Sequence, residues 1–428
     1  MSTFCFVHAA DLHLDAPFRG ISQEAPEGVV KTLREASFVA LDRLITLCEK
    51  EKPAFLLLAG DILNQEEHSA RAQLRLLEAF RRLQTAGIPV FMVHGNHDPL
   101  GSQFTSIRYP ANVKVFGPDY EHCEVKDAGG RLVAIIHGAS HASAKETRNL
   151  AAQFRRTQDD CPQIGLLHTS RGDVESGDRY APCTVQDLVA SGLDYWALGH
   201  VHEACTLCEA PLAVYPGTTQ GCHINETGDK GCLLVHVETS GSQASFRLSG
   251  VTLGPVVWDC ARVELGADDT DAGALEETLQ QRLTQISEAA RPDCSLLVIR
   301  LILEGRTPLD AALRDPNTKE ALLAALRAVP LAGTPVWIKD LDVRTRPTLD
   351  RNDLLRREDL VGELLRDNDR LRESGLLEDT MREALRPLFG HSRARRALSA
   401  PTAGELEELI ASAETLCLEL LEKRNADS

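Results

Sequence analysis

The sequence has no apolar run long enough to cross a bilayer as a helix. Its opening, Met1 to Ala10, lacks the charged start and long apolar segment of a secretion signal. Its 12 cysteines follow no regular framework, and the one C-x-x-C, Cys205 and Cys208, has no second pair at zinc-site spacing. These absences argue against a membrane-spanning or disulfide-stapled protein and predict a cytoplasmic chain with reduced thiols. Also missing is a positive surplus: 46 Lys and Arg stand against 63 Asp and Glu, a net charge of −17. Nucleic-acid binders ordinarily carry a basic footprint, because phosphate contacts supply much of their affinity. Either the substrate is not a polymer, or metal ions and a partner subunit supply positive charge locally. There is no internal repeat at solenoid periods and no long low-complexity tract.

What is present suffices for two or three domains: 428 residues, 43% hydrophobic and 25% charged. The first 250 or so residues repeat one arrangement of apolar strand, glycine or polar turn, ligand-type residue and helix, which reads as α/β. Phe4 to Ala9 ends at Asp11-Leu12-His13, and Pro53 to Ala59 ends at Gly60-Asp61. Ile88 to Val93 delivers Gly95-Asn96-His97-Asp98, with Gly95 expected to allow a tight turn. Helices are expected between them, one carrying Val30, Leu33, Val39, Leu44 and Leu47, another over Glu67 to Thr85. Later strands end at His137, at His168 and at Gly199-His200-Val201-His202, while Leu212 to Tyr215 leads into Pro216-Gly217-Thr218 and Gly231 to Val237 closes the series. From Val257 to Val343 a βαβαβ pattern carries almost no candidate ligands, and beyond Arg346 the chain is charged, leucine-rich and helical. The expected domains are therefore 1–254, 255–346 and 347–428.

Any one of these motifs reads equally well as an ordinary turn or a structural histidine. Five of them, each at the end of an apolar run, point to one site. Asp11, His13, Asp61, Asn96, His168, His200 and His202 form a mixed oxygen and nitrogen set large enough for two metals. Such donors suit manganese, iron or zinc, and the absence of cysteine argues against a closed structural zinc. Asp61 is the candidate bridge, since a carboxylate offers two oxygens. Residues two apart in a strand face one way, so Asp11 and His13 can meet one ion if the extended geometry persists. A water activated by such a pair attacks phosphorus, and His97, its ring held by Asp98, can protonate the leaving oxygen. His137 competes with His168 for the fourth motif and is expected to be a buried polar residue instead. His8, His94 and His223 are expected to pack or hydrogen-bond. Arg71, Arg75, Arg81, Arg82, Arg155 and Arg156 could form a local basic strip.

Asp11-x-His13, Gly60-Asp61, Gly95-Asn96-His97-Asp98, His168 and Gly199-His200-x-His202, in this order, resemble the calcineurin-like metallophosphoesterase superfamily. Within it, His8 to Asp15, Gly60 to Leu63, Tyr215 to Thr218 and the following Glu226 to Cys232 resemble the SbcD-type DNA repair nucleases, nearest their YhaO-like bacterial branch. The resemblance implies a four-layer fold, a two-sheet β-sandwich flanked by helices, with a small α/β capping domain and a helical C-terminal region. It implies Asp11, His13, Asp61 and His202 on one metal and Asp61, Asn96, His168 and His200 on the other, with His97 as proton donor. It further implies two manganese ions, DNA as substrate, and an SbcC-type coiled-coil ATPase attached through the C-terminal helices, and it allows for a homodimer. The alternatives are a small-molecule phosphodiesterase or nucleotidase with the same metals, and a scaffold partner of the ATPase.

Overall fold

The computed structural model describes residues 2–18, 25–64, 69–101, 108–170, 180–240, 243–348, 351–390 and 401–402, with 405, 409–410, 413–414, 416–418 and 421 of the last segment. Glu67, Arg393 to Arg396, Gly404, Leu406 and Leu420 lie outside the described residues.

The strand β1 (Ser2–Ala9) is buried on both faces, and its neighbours show why. Val7 and Ala9 pack with Leu56 and Leu58 against a helical layer, while Phe6 packs with Phe55 and Leu57 toward a second sheet. Strands covered on both sides read as continuous apolar runs, which is how β2 (Leu56–Ala59) and β3 (Val90–Val93) appear in the sequence. Both run parallel to β1, as does β4 (Val113–Val115) beyond them, and the helices α1 (Glu27–Glu51) and α2 (Ala70–Thr85) make the crossovers. Residues Leu33 to Cys48 supply the buried stripe of α1, and Leu76, Phe80 and Leu83 that of α2.

The second sheet holds β5 (Glu121–Lys126), β6 (Leu132–Ala139), β7 (Gln163–His168), β8 (Tyr195–Gly199), β9 (Cys205–Glu209) and β10 (Leu212–Tyr215), in the order β5-β6-β7-β8-β10-β9. Its inner face meets the first sheet through Ile136, Ile164, Leu166, Tyr195 and Val214. Its outer face is covered by Leu150, Phe154 and α3 (Val185–Ala190) around Trp196. The chain then returns to the first sheet as β11 (Gly231–Ser240) and β12 (Gln243–Thr252), giving the order β12-β11-β1-β2-β3-β4. Helix, sheet, sheet and helix make the expected four layers.

The βαβαβ pattern folds as a parallel three-stranded sheet of β13 (Val256–Leu265), β14 (Leu296–Gly305) and β15 (Val336–Val343). Its helices are α4 (Ala272–Ala289), the short α5 (Asp310–Arg314) and α6 (Pro316–Ala328). Trp258, Val298 and Trp337 pack with Leu33 and Ala36 of α1, and Arg43 donates to the Leu253 carbonyl at 3.0 Å. This sheet and the sandwich form one compact unit.

A second unit comprises residues 266–270, 306–310 and 345–428 and is mostly helical. It contains α7 (Arg351–Arg356), α8 (Leu360–Glu373) and α9 (Leu377–Gly390). Leu354, Val361, Leu365 and Leu418 share one small core, and Ile410 packs with Leu371, Met381 and Leu385 in another. No described helix is long and apolar enough to cross a membrane.

Candidate metal centre

Because β1, β2 and β3 run parallel in one sheet and β7 and β8 in the other, the carboxyl ends of all five open on one edge of the sandwich. The loops leaving that edge stay pinned to each other. Asp11, His13 and Leu14 donate their amides to the carbonyls of Gly60, Asp61 and Ile62, each at 3.1 Å, continuing the β1–β2 pairing past the strand ends.

The backbone there is not extended, as the sequence suggested for Asp11 and His13. Asp11, His13, Asp61 and His200 have φ of 52°, 41°, 51° and 106°, in a region non-glycine residues rarely enter. Each such residue costs on the order of 1–3 kcal/mol and persists only where its surroundings over-determine it. Two glycines permit the crowding. A Cβ on Gly60, whose φ is 86°, would lie 2.5 Å from the His168 ring, and one on Gly95 would lie 2.2 Å from Asp61 Oδ1. Gly95 is thus required for close approach, where the sequence suggested a tight turn.

The ligand-type side chains converge in two groups, Asp11 with His13 and His202, and Asp61 with His168 and His200. Asp61 Oδ2 lies between them, 3.3 Å from His168 Nε2 and 3.9 Å from His13 Nε2. Asn96 joins the second group, its Oδ1 3.0 Å from His168 Nε2 and 3.2 Å from His200 Nδ1. The amide of His200 donates to Asp11 at 3.0 Å and so ties the two sheets together across the site.

The proton inventory shows that this arrangement fits cations. A carboxylate only accepts, so the His202 Nδ1 facing Glu226 carries hydrogen; likewise His13 Nδ1 donates to Asn64 Oδ1 at 2.7 Å. The two Nε2 atoms then face each other across 3.1 Å, where a lone pair on each would meet a bound cation. His168 Nδ1 donates to the Ala59 carbonyl at 2.9 Å, leaving its Nε2 lone pair facing the acceptors Asn96 Oδ1 and Asp61 Oδ2. Acceptors crowded together without donors need a positive charge. Without metal a proton serves: burial disfavours charge on His168, but the Asp61 carboxylate outweighs it and raises its pKa to about 9. Burial, reinforced by charged His168, pushes His200 down to about 3. A divalent ion can replace that proton, since ligation requires deprotonated nitrogen.

His97 sits at the exposed rim, its amide donating to Asp61 Oδ1 at 2.8 Å and its ring edge-on to His13 at 5.1 Å. Asp98 does not meet it as the sequence suggested. The Asp98 carboxylate is fully buried and accepts from the amides of Gly95 (2.8 Å), Ile62 (2.9 Å) and Leu63 (3.2 Å), stapling the β2 and β3 loops together. Its nearest imidazole is His94, at 3.6 Å. Asp98→Ala would strand three amide donors and is expected to destabilise the fold by about 3 kcal/mol or more, measurable by urea unfolding.

Other expectations resolve plainly. His137 lies inside β6, away from the ligand groups, bonded to the Tyr120 hydroxyl and the Gln163 side chain at 3.0 Å each. His8 is buried between the Tyr195 hydroxyl and the Leu198 carbonyl, and His223 lies 3.3 Å from Glu226. Cys205 and Cys208 sit on β9 and belong to neither ligand group. Four of the six arginines of the expected basic strip meet carboxylates, Arg71 with Glu35, Arg75 with Asp42, Arg82 with Glu49 and Arg156 with Asp194, while Arg155 donates to the backbone carbonyls of Ala152 and Phe154. Sequence reasoning missed Asn64, Tyr180, whose ring lies 5.4 Å from His200, and the role of Glu226. Only Glu226 lay within a stretch already singled out, and nothing there marked it as a partner of His202.

Comparison with known proteins agrees with this geometry. The profile of the calcineurin-like phosphoesterase family matches residues 5–204, and that of the metallophosphoesterase YhaO middle domain matches residues 258–346. The chain is 36% identical over 380 residues to the "Uncharacterized metallophosphoesterase YhaO" of Bacillus subtilis strain 168, covering 88% of this chain and 90% of that one. It is 24% identical over 321 residues to the DNA double-strand break repair protein Mre11 of Aeropyrum pernix, covering 72% and 74% of the two chains. The Mre11 protein of Sulfurisphaera tokodaii matches at 26% over 162 residues, 37% of this chain and 41% of that one. Similarity that runs almost end to end at this level, over a sandwich edge built to collect cations, makes the chain a member of the calcineurin-like metallophosphoesterases, hydrolases of phosphoester bonds.

Proposed function

We propose that the chain is a manganese-dependent DNA phosphodiesterase acting in repair. The observation that carries this reading is the convergence of two acceptor-rich ligand groups on either side of Asp61, with His97 exposed beside them. Asp11, His13, Asp61 and His202 would hold one divalent ion, and Asp61, Asn96, His168 and His200 the other. Bound there, the ions supply charge to clamp a phosphate and acidify a water. The protein's own part is positional. The left-handed backbone and the interstrand hydrogen bonds fix the ligands in advance. Hydrolysis adds a water oxygen to phosphorus and expels an ester oxygen that must gain a proton; His97, its amide anchored on Asp61, stands at the rim to give it. The Mre11 similarity over 72% of the chain supports DNA as the substrate.

The β13–β15 module, residues 255–346, would act as a cap shaping access. The helical region 347–428 would receive an SbcC-type coiled-coil ATPase. Leu360, Leu376, Leu409 and Leu416 are exposed in this region and would be available to such a partner.

One observation favours a second reading, hydrolysis of a small phosphodiester such as a nucleotide. Three of the four arginines of α2, Arg71, Arg75 and Arg82, are occupied by carboxylates and the net charge is −17, which gives a polyanion little to hold. Linear duplex DNA and a generic aryl phosphodiester, each offered with manganese, separate the two. Degradation of the duplex is expected; turnover of the aryl ester alone would favour the second reading, and turnover of neither a scaffold.

A further inference from the structure

We propose that Glu226 is a positioning residue that makes the two ion positions unequal, with the Asp11, His13 and His202 position the tighter one. The inference rests on the two-ion reading above and concerns how the protein backs each position.

His202 reaches the site from a side chain that is 35% exposed, so packing alone does not set its ring. The Glu226 carboxylate does, accepting from Nδ1 and leaving Nε2 aimed at the site. Glu226 is itself immobilised: the Cys222 amide donates to its other oxygen at 2.6 Å, His223 Nε2 lies 3.3 Å away, and the residue is only 7% exposed. The companion ligand His13 is oriented in the same way by Asn64, at 2.7 Å. Both imidazoles of this position are therefore aligned by side-chain acceptors, and one of those acceptors carries a full negative charge.

The other position is backed differently. His168 is fully buried and its Nδ1 donates to a neutral backbone carbonyl, that of Ala59. His200 points its Nδ1 at the Asn96 amide oxygen. Among the described residues no carboxylate stands behind either ring. A carboxylate behind a ligating imidazole fixes its tautomer and strengthens it as a donor, and removing such a partner weakens metal affinity by about 10- to 100-fold. Glu226 thus supplies a term to one ion that the other does not receive.

Manganese titration of the full chain without substrate, with free ion read by electron paramagnetic resonance, tests this. The unaltered chain should take up two ions in two affinity classes. Glu226→Gln should weaken the tighter class by about 10- to 100-fold, with the weaker class and the melting temperature of the ion-free protein nearly unchanged. Glu226→Asp should recover part of the loss, and Asn64→Ala should show a smaller loss in the same class. Unchanged affinities in Glu226→Gln would overturn the proposal and leave the two-ion reading standing. Equal weakening of both classes with a lowered melting temperature would reduce Glu226 to a structural role. An unaltered chain that takes up fewer than two ions would end the two-ion reading itself.

Discussion

Asp61→Ala is expected to take the chain from two bound divalent ions to none, with phosphodiester turnover lost alongside. One carboxylate oxygen lies within 4 Å of an imidazole in each ligand group, so its removal withdraws a donor from both at once. The other oxygen accepts from the His97 amide, so the Asn96-His97 loop also loses an anchor. The variant further strips His168 of the charge that raises its pKa, leaving a buried ring with reason to stay neutral. Metal analysis of the purified variant after dialysis against manganese reads the outcome. Asp61→Asn makes the matched control, because it can keep the bond to the His97 amide while losing the charge. Retention of two ions per chain by Asp61→Ala would refute the shared role.

The second large effect is expected at His97 and should be of the opposite kind. His97→Ala removes a ring outside both ligand groups and leaves its backbone amide on Asp61, so two ions should still bind. Turnover should fall by roughly 10²- to 10⁴-fold, the usual worth of a positioned acid or base. The loss should shrink for an ester with an acidic leaving group, which departs without needing a proton. Comparing a nitrophenyl ester with an alkyl ester therefore checks the role. Equal losses on both would assign His97 to binding instead.

Much of this site could be read before any coordinates, for a definite physical reason. Strands covered on both faces appear as apolar runs, so Leu56 to Ala59, Val90 to Val93 and Tyr195 to Gly199 announce themselves, and each ligand motif follows a run's end. Strands with one wet face do not. β5, β9 and β12 alternate exposed and covered residues among charged and polar neighbours, and no apolar run marks them. Asp98 misled because adjacency in sequence suggests contact with His97, whereas the turn directs the carboxylate inward to three amides. Glu226 escaped because its partner lies 24 residues away and only the fold brings them together. Arg71, Arg75 and Arg82 of α2 showed their charge in sequence, but not the acids of α1 that answer them.

That last pairing bears on how a substrate first arrives. Glu35, Asp42 and Glu49 recur every seven residues along α1 and meet Arg71, Arg75 and Arg82 on the helix running beside it. The outer layer is thereby self-cancelling, and the surplus of acid over base is left to act at long range. A net charge of −17 opposes the electrostatic steering that speeds many polyanions toward basic clefts. Were a nucleic acid the substrate, its capture would have to be won within a Debye length of the metal centre.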